Sequence, residues 1–217
     1  MKLRNFSIAV AFAITFALTG VSTSASADEA TEAQTFVQAQ HGKIAALLHQ
    51  PASGARDTQI NTALESFVDY DEVARRAFGK PCPPALAGCT DHWAGLTDPQ
   101  KTEVRGLLKQ LVEKNYRKNI IKTLDYEVAY KSAKAASLGD SRIRTEAQNK
   151  AKPRDPAVQV DYFVHSQNGS LKVVDIVTEG SSLTKNYYDQ FHKMLTTDGQ
   201  KYPYVVKKLQ EKIAKKE

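Results

Sequence analysis

The sequence predicts an α+β fold in which N-terminal helices precede a four-stranded antiparallel meander sheet and C-terminal helices return onto one sheet face. Three observations carry this. Apolar residues recur at helical spacing between Phe36 and Ile120, alternate with polar ones after Leu124, and return to helical spacing after Ser182. Strands met in succession and separated by short turns pair as a meander, and the flanking helices bury their apolar stripes on its apolar face.

Residues 1–27 read as a secretory leader, not as part of that fold. Lys2 and Arg4 precede an apolar run from Phe6 to Leu18, and Ala25-Ser26-Ala27 is a small-residue cleavage site, so the mature chain is expected to start at Asp28 outside the cytoplasm. The run is too short for a transmembrane helix, which needs ~20 apolar residues, and no Cys follows the site to carry a lipid anchor. The mature chain, residues 28–217, has the length of one domain or of two small ones and is read as a single domain, and 41% apolar residues in the whole sequence permit a sizeable core. The formal charge of +6 falls to +4 without Lys2 and Arg4 and is spread along the chain, as on a solvated face. Lys212, Lys215 and Lys216 at the end suit a helix C-terminus, where cations complement the dipole. The basic residues are not gathered into a stripe with interleaved aromatics, so nucleic acid is not an expected partner.

The helical part begins with Thr31 to Gln50, where Phe36, Val37, Ile44, Leu47 and Leu48 make an amphipathic face, and Pro51 to Gly54 turns the chain. Thr58 to Val68 comes next, with Ile60, Leu64 and Phe67 on one side. Asp69 or Asp71 can then cap a short helix that Gly79 ends. Cys82 and Cys89 lie in the loop PCPPALAGC, whose Pro81, Pro83, Pro84 and Gly88 forbid regular structure, and in an oxidising compartment they should be bridged. A zinc site using both with His92 lacks a fourth ligand of the usual spacing. Asp98-Pro99 starts the longest helix, which runs through Val104, Leu107, Leu108, Leu111, Val112 and Tyr116 towards Ile120.

Beyond Leu124, Tyr126, Val128 and Tyr130 form one alternating row, and Ile143, Thr145 and Ala147 a second with Arg142, Arg144 and Glu146 opposite. Ser137 to Asp140 connects them. After a polar loop from Gln148 to Pro156, Val158, Val160, Tyr162 and Val164 make a third row, and Asn168-Gly169 turns into a fourth strand from Leu171 to Thr178. That last strand is dense in β-branched residues, as one covered on both faces would be. Glu179-Gly180 breaks it, Ser181 or Ser182 can cap the next helix, and Leu183, Tyr187, Phe191 and Leu195 then form a row that packs most simply on the sheet just left. Pro203 to Ile213 closes the chain as a helix.

The usual enzyme motifs are absent from the sequence: no GxSxG, HExxH, Walker or GxGxxG pattern, and no metal cluster among His41, His49, His92, His165 and His192. An enzymatic reading rests on Asp161 and His165, on one face of a strand, with Asp175 on its neighbour as acid and base partners. Alternation sets Asp161 and His165 opposite the Val160, Tyr162, Val164 row, on a wetter face, where a structural role is the simpler one.

Three motifs give the chain a family likeness. Asp175, Glu179, Gly180, Ser182, Leu183, Asn186, Tyr187, Gln190 and Phe191 follow one signature; Phe67, Asp69, Tyr70, Ala74, Arg75, Ala77 and Gly79 follow a second; Trp93 with Leu96 to Gln100 follows a third. Together they resemble the MlaC family of periplasmic phospholipid-binding proteins, also called the toluene-tolerance auxiliary component of an ABC transporter. Tyr188 stands where the family usually has Arg, and the cysteine loop has no counterpart in the family pattern. The resemblance implies no catalysis and no cofactor, and a diacyl phospholipid held in an apolar cavity between sheet and helices. On the helices, the lining it implies is Phe67, Tyr70, Val73, Ala74, Leu107, Leu111, Tyr187 and Phe191. On the sheet it is Tyr126, Val128, Ile143, Val160, Tyr162 and Val173. It further implies exchange of lipid between an inner-membrane ABC transporter with its MCE-domain protein and an outer-membrane lipoprotein–porin complex, which maintains outer-membrane asymmetry. Without the resemblance the same residues would read as a filled core, so a secreted interaction module and a small-molecule enzyme using the cavity are the competing readings.

Overall fold

The computed structural model describes residues 25–82 and 88–215, and the side chains among them other than those of 25–26 and 117–122. The expected leader up to residue 24, Pro83 and Pro84 of the cysteine loop, and Lys216 lie outside the described residues. Helix α1 spans Ala25–Leu48 and so begins on the leader side of the expected cleavage point. Helix α2, Gly54–Phe67, is capped by Ser53, whose Oγ accepts from the Arg56 N–H at 3.1 Å. Asp69 is the cap of α3, Tyr70–Ala77, accepting from the N–H groups of Asp71 and Glu72 at 3.1 and 2.9 Å. Gly79 ends that helix at φ +89°, and a Cβ there would stand 2.4 Å from the Thr90 carbonyl oxygen, so only glycine fits. Helix α4, Asp98–Ile120, starts on a reciprocal cap in which Gln100 Oε1 accepts from the Thr97 N–H and Thr97 Oγ1 from the Gln100 N–H.

Strands β1, Tyr126–Ala135, β2, Asp140–Asn149, β3, Val158–Gln167, and β4, Ser170–Thr178, form the expected antiparallel meander. A fifth strand joins it. Ser181–Ser182, β5, is only two residues long and pairs with Val177 and Thr178 at the edge, too short to show as a period in sequence. Asn168 and Gly169, both at positive φ, make the tight turn between β3 and β4. The register sets Ile143, Tyr162 and Ile176 side by side across β2, β3 and β4, and Arg144 beside Asp161 on the opposite face.

The apolar side chains gather in two layers. In the first, α1 and α2 lie on the sheet, with Val37, Ile44, Leu64 and Phe67 packed against Ile143, Val164 and Val173. In the second, α5, Leu183–Thr196, and α6, Lys201–Ala214, pack with α3 and α4 through Ala77, Phe78, Leu108, Tyr187, Phe191 and Leu209. The apolar row of α5 therefore lies chiefly on α3 and α6, touching the sheet at β4, because α1 and α2 already cover much of the apolar sheet face. Among the described residues no helix is long and apolar enough to cross a membrane.

Candidate functional site

Between α1, the end of α2 and the apolar face of the sheet lies a cavity of about 280 Å³. Period and register build its walls. Tyr126, Val128 and Tyr130 alternate onto one face of β1, Tyr162 and Ile176 are cross-strand neighbours beside them, and His41, Ile44 and Ala45 share a stripe of α1 at helical spacing. Phe67 from the last turn of α2, Tyr116 from α4 and Leu124 from the turn before β1 complete the apolar part, and His49, Thr123 and Lys150 are exposed residues at its edge.

Four polar side chains inside it, His41, Tyr116, Tyr130 and Tyr162, are neutral at pH 7. Burial lowers His41 from 6.5 to about 4, and burial raises Tyr130 to about 12. Tyr116 and Tyr162 are pushed well above the usual phenol range by burial first, then by a neighbouring tyrosine. His41 Nδ1 and the Tyr130 hydroxyl are 2.6 Å apart, and the His41 ring meets Tyr162 and Phe67 edge-on at 5.0 and 5.8 Å between centroids. Among the described residues no carboxylate lines the cavity, and the lysine there, Lys150, donates to the Leu124 carbonyl at 2.9 Å.

Of the residues the sequence nominated, Phe67, Tyr126, Val128 and Tyr162 line this cavity. Tyr70, Val73, Ile143 and Val173 are buried in the layer that forms its walls, and Val160 is half-buried between Thr145 and Thr178. Ala74, Leu107, Leu111, Tyr187 and Phe191 belong to the second apolar layer. Tyr130, from the same alternating row as Tyr126 and Val128, lines it too, and His41, Ile44, Tyr116, Leu124 and Ile176 line it without having been nominated. The available signal was His41 itself, a polar residue inside the apolar stripe of α1.

The groups of the enzymatic reading are committed elsewhere. Asp161 accepts two bonds of 2.9 Å from the Arg144 guanidinium. His165 bonds Asp140, which is held by Arg76 at 2.6 and 3.0 Å, and Arg76 also donates to Glu72. Asp175 accepts from the N–H groups of Ile176 and Thr184 and from the Ser182 hydroxyl. Ser182 Oγ in turn caps α5 by accepting from Lys185 N–H. Cys82 and Cys89 are bridged to each other, His92 bonds His192 at 2.9 Å, and no group of three metal-ligating side chains occurs among the described residues. Tyr188, at the position where the resemblance expects Arg, packs on Gly79, and its hydroxyl accepts from Thr90 N–H at 2.8 Å, tying α5 to the segment after the disulfide. A larger cleft of about 410 Å³ next to α3 is lined, apart from Trp93, by polar and charged residues, among them Arg105 paired with Asp71 and Arg75 with Glu72.

No curated protein sequence matches the chain. Among solved structures, a phospholipid-binding protein from Ralstonia solanacearum, determined in complex with a phospholipid at 1.53 Å resolution, matches with a TM-score of 0.68 and 22% identity. The match covers 84% of this chain and 97% of that one, which extends the shared fold over nearly all of the other molecule. The family model of the MlaC protein matches residues 38–211, from within α1 to within α6, and the three sequence motifs lie inside that span. The chain belongs to the MlaC family.

Proposed function

We propose that this protein is a carrier of diacyl phospholipid, working in the periplasm between an inner-membrane ABC transporter with an MCE-domain component and an outer-membrane lipoprotein–porin complex. The observation that carries the reading is the cavity: an apolar space under α1, lined by aromatic and aliphatic side chains and, among the described residues, by no carboxylate. Family membership and the phospholipid in the Ralstonia solanacearum structure support the choice of ligand. At ~0.8 kcal/mol per buried methylene, two chains of about 30 methylenes gain roughly 24 kcal/mol over water, in a bilayer or in a cavity alike. A shuttle works when the two are nearly equal, which an apolar cavity without a charge clamp provides.

A volume of about 280 Å³ is at the small end for a ligand site, such sites running ~300–1,000 Å³, so two chains require a wider state. The wall that yields in our reading is α1, whose side chains make one hydrogen bond to the sheet among the described residues, His41 to Tyr130. Native mass spectrometry of the mature protein from a periplasmic extract tests the proposal. A bound mass equal to a diacyl phospholipid, lost on delipidation and regained from liposomes, is expected. An apo mass that no liposome treatment changes overturns it.

A further inference from the structure

The cavity is apolar in its walls yet holds hydrogen-bond donors that no described residue engages. His41 and Tyr130 carry one hydrogen each when neutral, and their mutual bond engages only one of them, whichever group donates. Neither residue has another polar partner among the described residues, and the hydroxyls of Tyr116 and Tyr162 have none. All four residues line the same space, and they come from α1, α4, β1 and β3. A ligand that presented only methylenes there would strip these donors of water and leave them unpaired, which costs more than a hydrogen bond normally contributes. The ligand must therefore bring an acceptor into the apolar space, and because these donors are neutral and a bound ligand would take them out of water, an uncharged acceptor matches them better than an anion does. A diacyl lipid has such acceptors, the ester carbonyls where its chains meet the glycerol.

We infer that His41, Tyr130, Tyr116 and Tyr162 form a neutral donor cluster that recognises the ester carbonyls of the lipid, making the cavity selective for ester-linked over ether-linked chains. The inference rests on the carrier reading. Whether the His41–Tyr130 bond persists or parts as α1 yields, at least one N–H or O–H of the pair faces the ligand. The phosphate is left to the exposed edge at His49 and Lys150.

The test offers delipidated mature protein mixed vesicles of equal amounts of a diester and a diether phospholipid with the same headgroup and chain length, and reads the bound ratio by native mass spectrometry. One to two neutral hydrogen bonds predict a diester preference of about fivefold to thirtyfold. His41→Phe, Tyr130→Phe and Tyr162→Phe, which keep an aromatic ring at each position, should each bring the ratio of the two bound lipids towards one, whatever the total uptake. Should His41→Phe fail to fold, Tyr130→Phe and Tyr162→Phe decide the matter, since each removes a single oxygen. Equal uptake of both lipids by the wild-type protein, as contact through phosphate or chains alone would give, overturns the inference and leaves the carrier standing. A preference that all the variants retain also overturns it. Uptake of neither lipid overturns the carrier reading and the inference with it.

Discussion

Acid should destabilise this protein through His41, and His41→Phe should remove that part of the loss. Burial lowers the imidazole from 6.5 to about 4 in the folded chain, so the unfolded chain binds the proton more tightly. The contribution is fully present above pH ~6.5 and is lost as pH falls towards 4. At ~1.4 kcal/mol for each tenfold difference in proton affinity, the whole effect is about 3 kcal/mol, of which roughly 2 kcal/mol falls between pH 7 and pH 4.5. Phenylalanine preserves the ring contacts to Phe67 and Tyr162 and has nothing to protonate. Urea unfolding of delipidated wild type and variant at both pH values gives the comparison, because carboxylates and the other histidines titrate in both proteins and cancel in the difference. The wild-type midpoint should fall by about 1 M urea more than that of the variant, taking an m-value of ~2 kcal/mol/M. Equal falls would refute the assignment of His41 as a buried neutral base, and with it the neutrality of the cavity.

Other perturbations address the scaffold and the space. Asp175→Ala leaves the N–H groups of Ile176 and Thr184 and the Ser182 hydroxyl without their acceptor, which should cost about 3 kcal/mol and lower Tm by roughly 10 °C in a circular-dichroism melt. Asp175→Asn, which keeps one carbonyl oxygen, should recover much of that. Gly79→Ala forces a Cβ against the Thr90 carbonyl at positive φ and should destabilise by at least ~2 kcal/mol in urea titration; a loss under ~0.5 kcal/mol would mean the turn relaxes freely. Val128→Trp enlarges a cavity residue that is already 38% exposed, so it should cut co-purifying lipid several-fold while changing stability by no more than ~0.5 kcal/mol. Unchanged lipid content in that variant would move the lipid site away from β1.

The fold was legible because its boundaries are local chemistry. Asp69, Gly79, Asp98-Pro99, Asn168-Gly169 and Ser182 each set a helix end or a turn through atoms within a few residues, and the structure uses each of them where the sequence suggests. The short strand Ser181–Ser182 escaped because two residues carry no period. The cavity was only partly legible, for a different reason. An apolar stripe states that a face is buried and not what covers it, so the stripe of α5, with Tyr187 and Phe191, reads the same as the stripe of α1 although one packs on helices and the other faces the cavity. Asp161 and Asp175 show the converse limit. Alternation assigns their face, but their partners, Arg144 across the strand pair and Thr184 at the head of α5, arise from register and from a chain reversal.

The distribution of charge around the cavity bears on how a carrier lets go. If the protein is the carrier proposed above, acyl chains would move between bilayer and cavity with little net free energy, and the groups that meet the polar part of the lipid would set the residual affinity. A desolvated ion pair there would hold the lipid by several kcal/mol, and release would need that interaction to be broken at each delivery. Here the interior donors are neutral, and the ammonium at the edge among the described residues, Lys150, is exposed and already donating to the Leu124 carbonyl, where an ion pair contributes only ~0–1 kcal/mol. Neutral hydrogen bonds to ester carbonyls add about as much again. The total is enough to favour one class of lipid and too little to trap it, so the direction of transfer would fall to whatever widens the cavity by drawing α1 from the sheet.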